Sequence, residues 1–185
     1  MTDVARTHGV KVVNEPFEQC SLPHGAFDLV CAGTAWHWID PALGYHVAAA
    51  LLRSGGRFAV FRNTYHYDKN LAGLFDAALQ RHTPHLRDDC IPLGTVSHEL
   101  LESRIQELAE QSGHFANATR RCFEYERQVP VGDWIHELET FSQIALLDLV
   151  TRERLLEELA REVANCAGAR LWIRHRVPCI EATRR

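Results

Sequence analysis

Short apolar runs and four-residue apolar spacings divide the chain into strands and helices. Leu29-Val30-Cys31-Ala32 and Phe58-Ala59-Val60-Phe61 are continuous apolar runs headed by Asp28 and Arg57, the pattern of strands buried on both faces. Between them Asp40 stands as an N-cap, with Pro41 at the first helical position, where a missing N–H costs nothing. Leu43, Val47 and Leu51 then recur every four residues until Arg53-Ser54-Gly55-Gly56 ends the helix. The spacing predicts a strand, helix, strand unit.

Upstream, Thr2 or Asp3 caps a short helix through Val4, Ala5 and Arg6, and Val10-Lys11-Val12-Val13-Asn14 reads as a strand. Downstream, Ser97 opens a helix carrying Leu101, Ile105 and Leu108 and closed by Gly113. Residues 115–129 have the alternation of a half-exposed strand. A helix introduced by Pro130 places Trp134, Leu138, Phe141 and Ala145 on one face. Thr151 caps another with Leu155, Leu159, Val163 and Cys166, Gly168 ends it, and residues 170–182 form a last strand. Strands interspersed with helices predict an α/β fold. With 185 residues and 46% hydrophobic content, a single domain over 1–185 is expected.

Composition narrows the partners. A net charge of −4 without a Lys/Arg block argues against nucleic acid. Six cysteines without a Cys-x-x-Cys pair fit reduced thiols in the cytoplasm. No apolar run approaches the roughly 18 residues that cross a bilayer, so no membrane partner is expected. His82-Thr83-Pro84-His85 with Cys90 brings three ligand types together, but no fourth stands at a zinc spacing; no metal is expected. A Gly-x-Ser-x-Gly hydrolase elbow is absent.

The wording of the strand, helix, strand unit is also distinctive: Phe27-Asp28-Leu29-Val30, then Ala35-Trp36-His37-Trp38-Ile39-Asp40, then Leu52-Arg53-Ser54-Gly55-Gly56-Arg57-Phe58-Ala59-Val60-Phe61. In these residues the chain resembles the class I S-adenosylmethionine-dependent methyltransferases of type 11, in particular the small-molecule group related to trans-aconitate methyltransferase. The resemblance extends over nearly the whole chain and includes Thr140-Phe141-Ser142. It implies a Rossmann-like sheet, a helical insert after the fifth strand with residues 64–114 covering the pocket, and a C-terminal antiparallel hairpin.

Two of the family's parts are missing from these residues: the Gly-x-Gly-x-Gly loop after the first strand, and the acidic residue that ends the second and holds the cofactor ribose. The expected sheet is therefore partial, lacking the first two strands, and the chain reads as N-terminally truncated. Residues 10–14 and 28–32 would face two empty places. Unpaired strand edges predict either direct re-pairing of those strands or a partner, including a homo-oligomer formed through the edges.

Ligands of open α/β sheets sit beyond the carboxyl ends of the strands, which points to residues 32–38. By position the resemblance assigns Glu15, Pro16 and Phe17 to the cofactor adenine, or else they form a plain turn. Small Ala32 and Gly33 would admit the cofactor's amino-acid moiety, or permit close helix–strand packing. Trp36, a cofactor candidate, and Trp38, a substrate-pocket candidate, offer π faces to a sulfonium or an aromatic acceptor, or simply pack. His37 is the candidate base, or a packed imidazole. Tyr65 and His66 join Trp38 as substrate-pocket candidates in a stretch that also holds Tyr67, Phe75, His82, His85 and His98.

The implied activity is methyl transfer from S-adenosylmethionine to a small-molecule acceptor. It is an in-line displacement, for which near-attack alignment supplies roughly 7–11 kcal/mol. Without the Gly-rich loop and the ribose-binding acid, cofactor binding by these residues is expected to be impaired. The alternative is a non-catalytic remnant serving as a binding or oligomer-forming module.

Overall fold

The computed structural model describes residues 2–84 and 99–185. In chain order its elements are α1 (Thr2–Thr7), β1 (Phe27–Gly33), α2 (Pro41–Leu51), β2 (Leu52–Phe61), β3 (Thr64–His66), α3 (Lys69–His82), α4 (Glu99–Gln111), β4 (Phe115–Pro130), α5 (Val131–Glu139), α6 (Ser142–Ala145), α7 (Leu149–Ala167) and β5 (Arg170–Arg184). They divide into a first unit (Met1–Arg62, Ser103–Arg121, Cys179–Arg185) and a second (Asn63–Glu102, Cys122–Pro178).

In the first unit β1 runs parallel to β2, from Leu29↔Arg57 to Gly33↔Phe61. β2 also pairs antiparallel with the end of β5, from Arg57↔Thr183 to Phe61↔Cys179. The order β1-β2-β5 leaves β1 at the edge. Its core is aromatic. Phe58 meets Trp36 at 4.8 Å and Phe115 at 5.0 Å between ring centroids, and Trp36 meets Tyr45 edge-on at 5.2 Å. Such pairs contribute about 0.5–1.5 kcal/mol each beyond the area they bury.

The helix signals of α2 are realised: Asp40 accepts a hydrogen bond from Ala42 N at 2.8 Å, and Pro41 opens the helix. Its buried face is a correction. Gly44, Tyr45, Ala48, Ala49 and Leu51 point inward, whereas Leu43 is 50% exposed. The large ring of Tyr45 sets the rotation, because it completes the aromatic core. A Cβ on Gly44 would stand 2.5 Å from Ile39 Cγ2 and 3.4 Å from the Trp36 ring. Gly44→Ala should therefore cost about 1 kcal/mol in urea unfolding, because overpacking of 1–3 kcal/mol outweighs the helical gain of Ala over Gly.

Several strand and cap expectations are corrected. Residues 10–14 form no strand, so no re-pairing with β1 occurs among the described residues. β1 is not buried on both faces: Leu29 is 52% exposed and Cys31 is exposed, since an edge strand lacks the neighbours that would cover it. β2 alternates, with Phe58 and Val60 buried and Arg57 and Phe61 exposed. α7 is capped by Asp148, which accepts from Thr151 N at 3.0 Å, rather than by Thr151. α5 stops at Glu139, so Phe141 and Ala145 belong to a separate turn of helix, and Cys166 is exposed. Ser97, His85, Cys90 and His98 lie outside the described residues.

In the second unit β3 pairs antiparallel with β5, from Thr64↔Arg176 to His66↔Arg174. Trp134 of α5, Phe75 of α3 and Leu155, Leu159 and Val163 of α7 bury against Leu171 and Ile173 of β5. The four-residue spacing in α7 holds all three side chains on one face. Gly168, at φ 73, ends this helix in the left-handed region that favours glycine. No described helix is long and apolar enough to cross a membrane.

Candidate functional site

The two segments assigned to the cofactor meet in the first unit. A short 3-10 turn, Phe17–Gln19, follows Pro16, and a second, Trp36–Trp38, follows β1. Glu18 ties the first turn to the start of α2 by accepting from Asp40 N at 2.9 Å. This lays Phe17 edge-on against Trp36, with centroids 5.8 Å apart. Glu15, Pro16 and Phe17 also line a cavity of about 430 Å³ together with Leu29, Cys31 and Leu51. Its wall is mostly apolar, which suits a flat heteroaromatic ring.

The other assigned residues have partners or neighbours of their own. Ser21 donates to Glu15 from its N at 2.5 Å and from its Oγ at 2.9 Å, which holds the Glu15 carboxyl below its usual range. That carboxylate is committed to its own turn. Trp36 is 5% exposed and gives its faces to the core. Gly33 has a local reason to be glycine, since a Cβ there would fall 2.7 Å from the Phe61 ring. Ala32 is half-buried within β1 and, like Gly33 and Trp36, does not line the 430 Å³ cavity.

Trp38 is 71% exposed, and its ring lies 5.0 Å from that of His37. Partial desolvation and the Arg62 charge hold the His37 imidazole below its usual pKa. A neutral imidazole at the end of a strand can take up a proton. Sequence reasoning missed Thr34, which follows β1 at φ 51 while its N donates to Phe61 O at 2.8 Å. A β-branched residue in the left-handed region is strained, and such strain clusters where ligands bind. The Gly-Thr pair after an apolar run was the available signal.

Tyr65 and His66 belong to the second unit. Tyr65 donates to Glu137 at 2.9 Å, and burial together with the Glu137 carboxylate pushes its phenol far above the usual value. Glu137 also receives Arg127, at 2.7 Å on one oxygen and 2.5 Å on the other. Arg127 in turn donates from Nε to His175 Nε2 at 2.8 Å. His66 lines a cavity of about 300 Å³ with Tyr67, Asp68 and Trp172. Arg127, Glu137 and His175 were not singled out by sequence, because nothing in their spacing marks them as partners. No described cluster of three or more His, Cys, Asp or Glu is arranged to hold a metal.

Solved structures resemble this fold. A protein from Anaeromyxobacter dehalogenans described as a type II methyltransferase matches 92% of this chain and 70% of its own, with a TM-score of 0.57 and 19% identity. The YcgJ protein of Bacillus subtilis matches 99% of this chain and 76% of its own, with a TM-score of 0.51 and 17% identity. The chain thus shares the α/β fold of these two proteins. Residues 1–60 match the family described as Methyltransferase domain. Uncharacterized methyltransferases of Mycobacterium tuberculosis and Mycobacterium bovis are 40% identical over 47 residues, which is 25% of this chain and 19% of theirs.

Proposed function

We propose that the chain belongs to an enzyme of S-adenosylmethionine-dependent methyl transfer to a small molecule, with the donor held between the turn at Glu15–Phe17 and the end of β1. The contact of Phe17 with Trp36 at 5.8 Å carries this reading, because it joins the two segments that the donor would span. The apolar cavity beside Pro16 and Phe17 would take the adenine ring. His37, neutral and exposed beside Trp38, is the group to accept a proton from an acidic acceptor.

Donor binding by these residues alone is impaired. They contain no Gly-x-Gly-x-Gly loop, and Glu15, the acidic residue on the cavity wall, is occupied by Ser21. Calorimetric titration of the 185-residue chain with S-adenosylmethionine and its demethylated product is expected to show weak saturable binding, in the range of about 0.1–1 mM. Phe17→Ala should weaken it further. A folded chain that binds neither compound would instead favour the non-catalytic module.

A further inference from the structure

Beside the residues that lead into β1, well before its carboxyl end, lies a cavity of about 560 Å³ walled by His24, His46, His114, Arg184 and Arg185. Every ionisable side chain on its wall is of the cationic type, in a chain whose formal net charge is −4. The five residues come from four separate segments of the first unit: the loop before β1, the middle of α2, the residue before β4 and the end of β5.

Backbone contacts hold these segments together. Gly25 N donates to Ala50 O at 2.8 Å, and Arg185 N donates to His114 O at 3.0 Å. The His46 and His114 rings lie 5.2 Å apart and also wall a neighbouring cavity of about 250 Å³. Arg185 spends its Nε on Phe115 O at 3.0 Å. Among the described residues the side chains of His24, His46, His114 and Arg184 make no hydrogen bond or ion pair. The fold has gathered cationic donors around a space, and among the described residues Arg185 alone of the five has a protein acceptor for its side chain.

We propose that this cavity binds a small multivalent oxyanion: the phosphate or pyrophosphate group shared by free polyphosphates and nucleotides. The planar fork of Arg184 matches two phosphate oxygens at once. The imidazoles add N–H donors that turn to meet the remaining oxygens. In the 185-residue chain the carboxylate of Arg185 offsets one guanidinium, leaving Arg184 and the imidazoles to hold the anion. Five localised groups on an otherwise acidic chain suit a compact anion rather than an extended polyanion.

The test is calorimetric titration of the 185-residue chain with inorganic pyrophosphate in one arm and ADP in the other. Saturable binding is expected, weakened roughly tenfold by Arg184→Gln and by the double change His46→Gln with His114→Gln, and weakened by added salt. Circular dichroism verifies that both variants remain folded. Tighter binding of ADP identifies a nucleotide as the source of the phosphates, and equal or tighter binding of pyrophosphate identifies the free anion. An absence of saturable binding in both arms, or equal binding by the folded variants, overturns the site.

Discussion

Phe58→Ala is expected to lower the stability of the first unit by about 3–5 kcal/mol, the range for truncating a fully buried aromatic ring. Phe58 is 0% exposed. Its ring reaches from β2 to Trp36 at 4.8 Å, to Tyr45 of α2 at 5.8 Å and to Phe115 of β4 at 5.0 Å. Removing it opens a void among rings that cannot all collapse inward, because Trp36 is also held by Phe17 and Tyr45 by its hydroxyl on Ile105 O at 3.0 Å. Urea unfolding gives the midpoint and slope. A lower midpoint with an unchanged slope marks lost stability rather than a changed denatured state. Phe58→Leu should recover most of the loss, because it refills much of the volume. A loss below about 1 kcal/mol in the alanine variant would show that the ring is not central to this core. Since Phe17 rests on Trp36, the same change should loosen the turn at Glu15–Phe17 and weaken donor binding.

His175→Ala is expected to cost the second unit about 2–4 kcal/mol near neutral pH, through a cavity and the loss of partners for buried polar groups. His175 is 1% exposed, with Tyr125 stacked on it at 4.5 Å and 1° between planes. Its tautomer follows from its neighbours. Arg127 Nε can only donate, so Nε2 accepts and the proton sits on Nδ1, which donates to Asn63 Oδ1 at 3.0 Å. The ring is thus neutral in the folded protein, and burial together with the Arg127 charge holds its pKa below 6.5.

The sign of the pH dependence follows. Above about 6.5 both folded and unfolded chains hold the ring neutral, and the network is fully stabilising. As the pH falls below that value the unfolded chain takes a proton that the folded chain resists, so stability drops until the folded pKa is passed. In His175→Ala that component is absent, and the stability gap between native and variant proteins should narrow from about pH 6.5 downward. His37 and His66 are shifted in the same direction by burial, with help from Arg62 and Arg176, and their share of the acid sensitivity remains in the variant. A gap that is constant across the acid range would mean that His175 is not held neutral.

Local order was legible in the residues themselves. The Asp40-Pro41 start of α2, the four-residue spacing of Leu155, Leu159 and Val163, the Gly168 stop and the apolar runs of β1 and β2 each act within a few positions of chain. Hydrogen-bonding rules, proline geometry and side-chain periodicity determine them without reference to the rest of the molecule. The resemblance to class I methyltransferases was legible for the same reason, since its most distinctive wording lies in the contiguous strand, helix, strand unit.

Burial and partnership required the tertiary structure. Leu29-Val30-Cys31-Ala32 has the composition of an interior strand, yet β1 is an edge, because coverage depends on neighbours that a run of residues does not specify. Trp36 could equally have been a ligand face, and the rings of Phe17, Tyr45 and Phe58 made it core. Arg127 and Glu137 are 10 residues apart in the chain, whereas His175 is 48 beyond Arg127. The sequence by itself determined most of the helix and strand segments, residues 10–14 excepted, and which family they resemble. The tertiary structure decided which face of each element is covered and which distant polar groups satisfy one another, because burial and hydrogen-bond pairing depend on the whole fold whereas propensity and capping act along the chain.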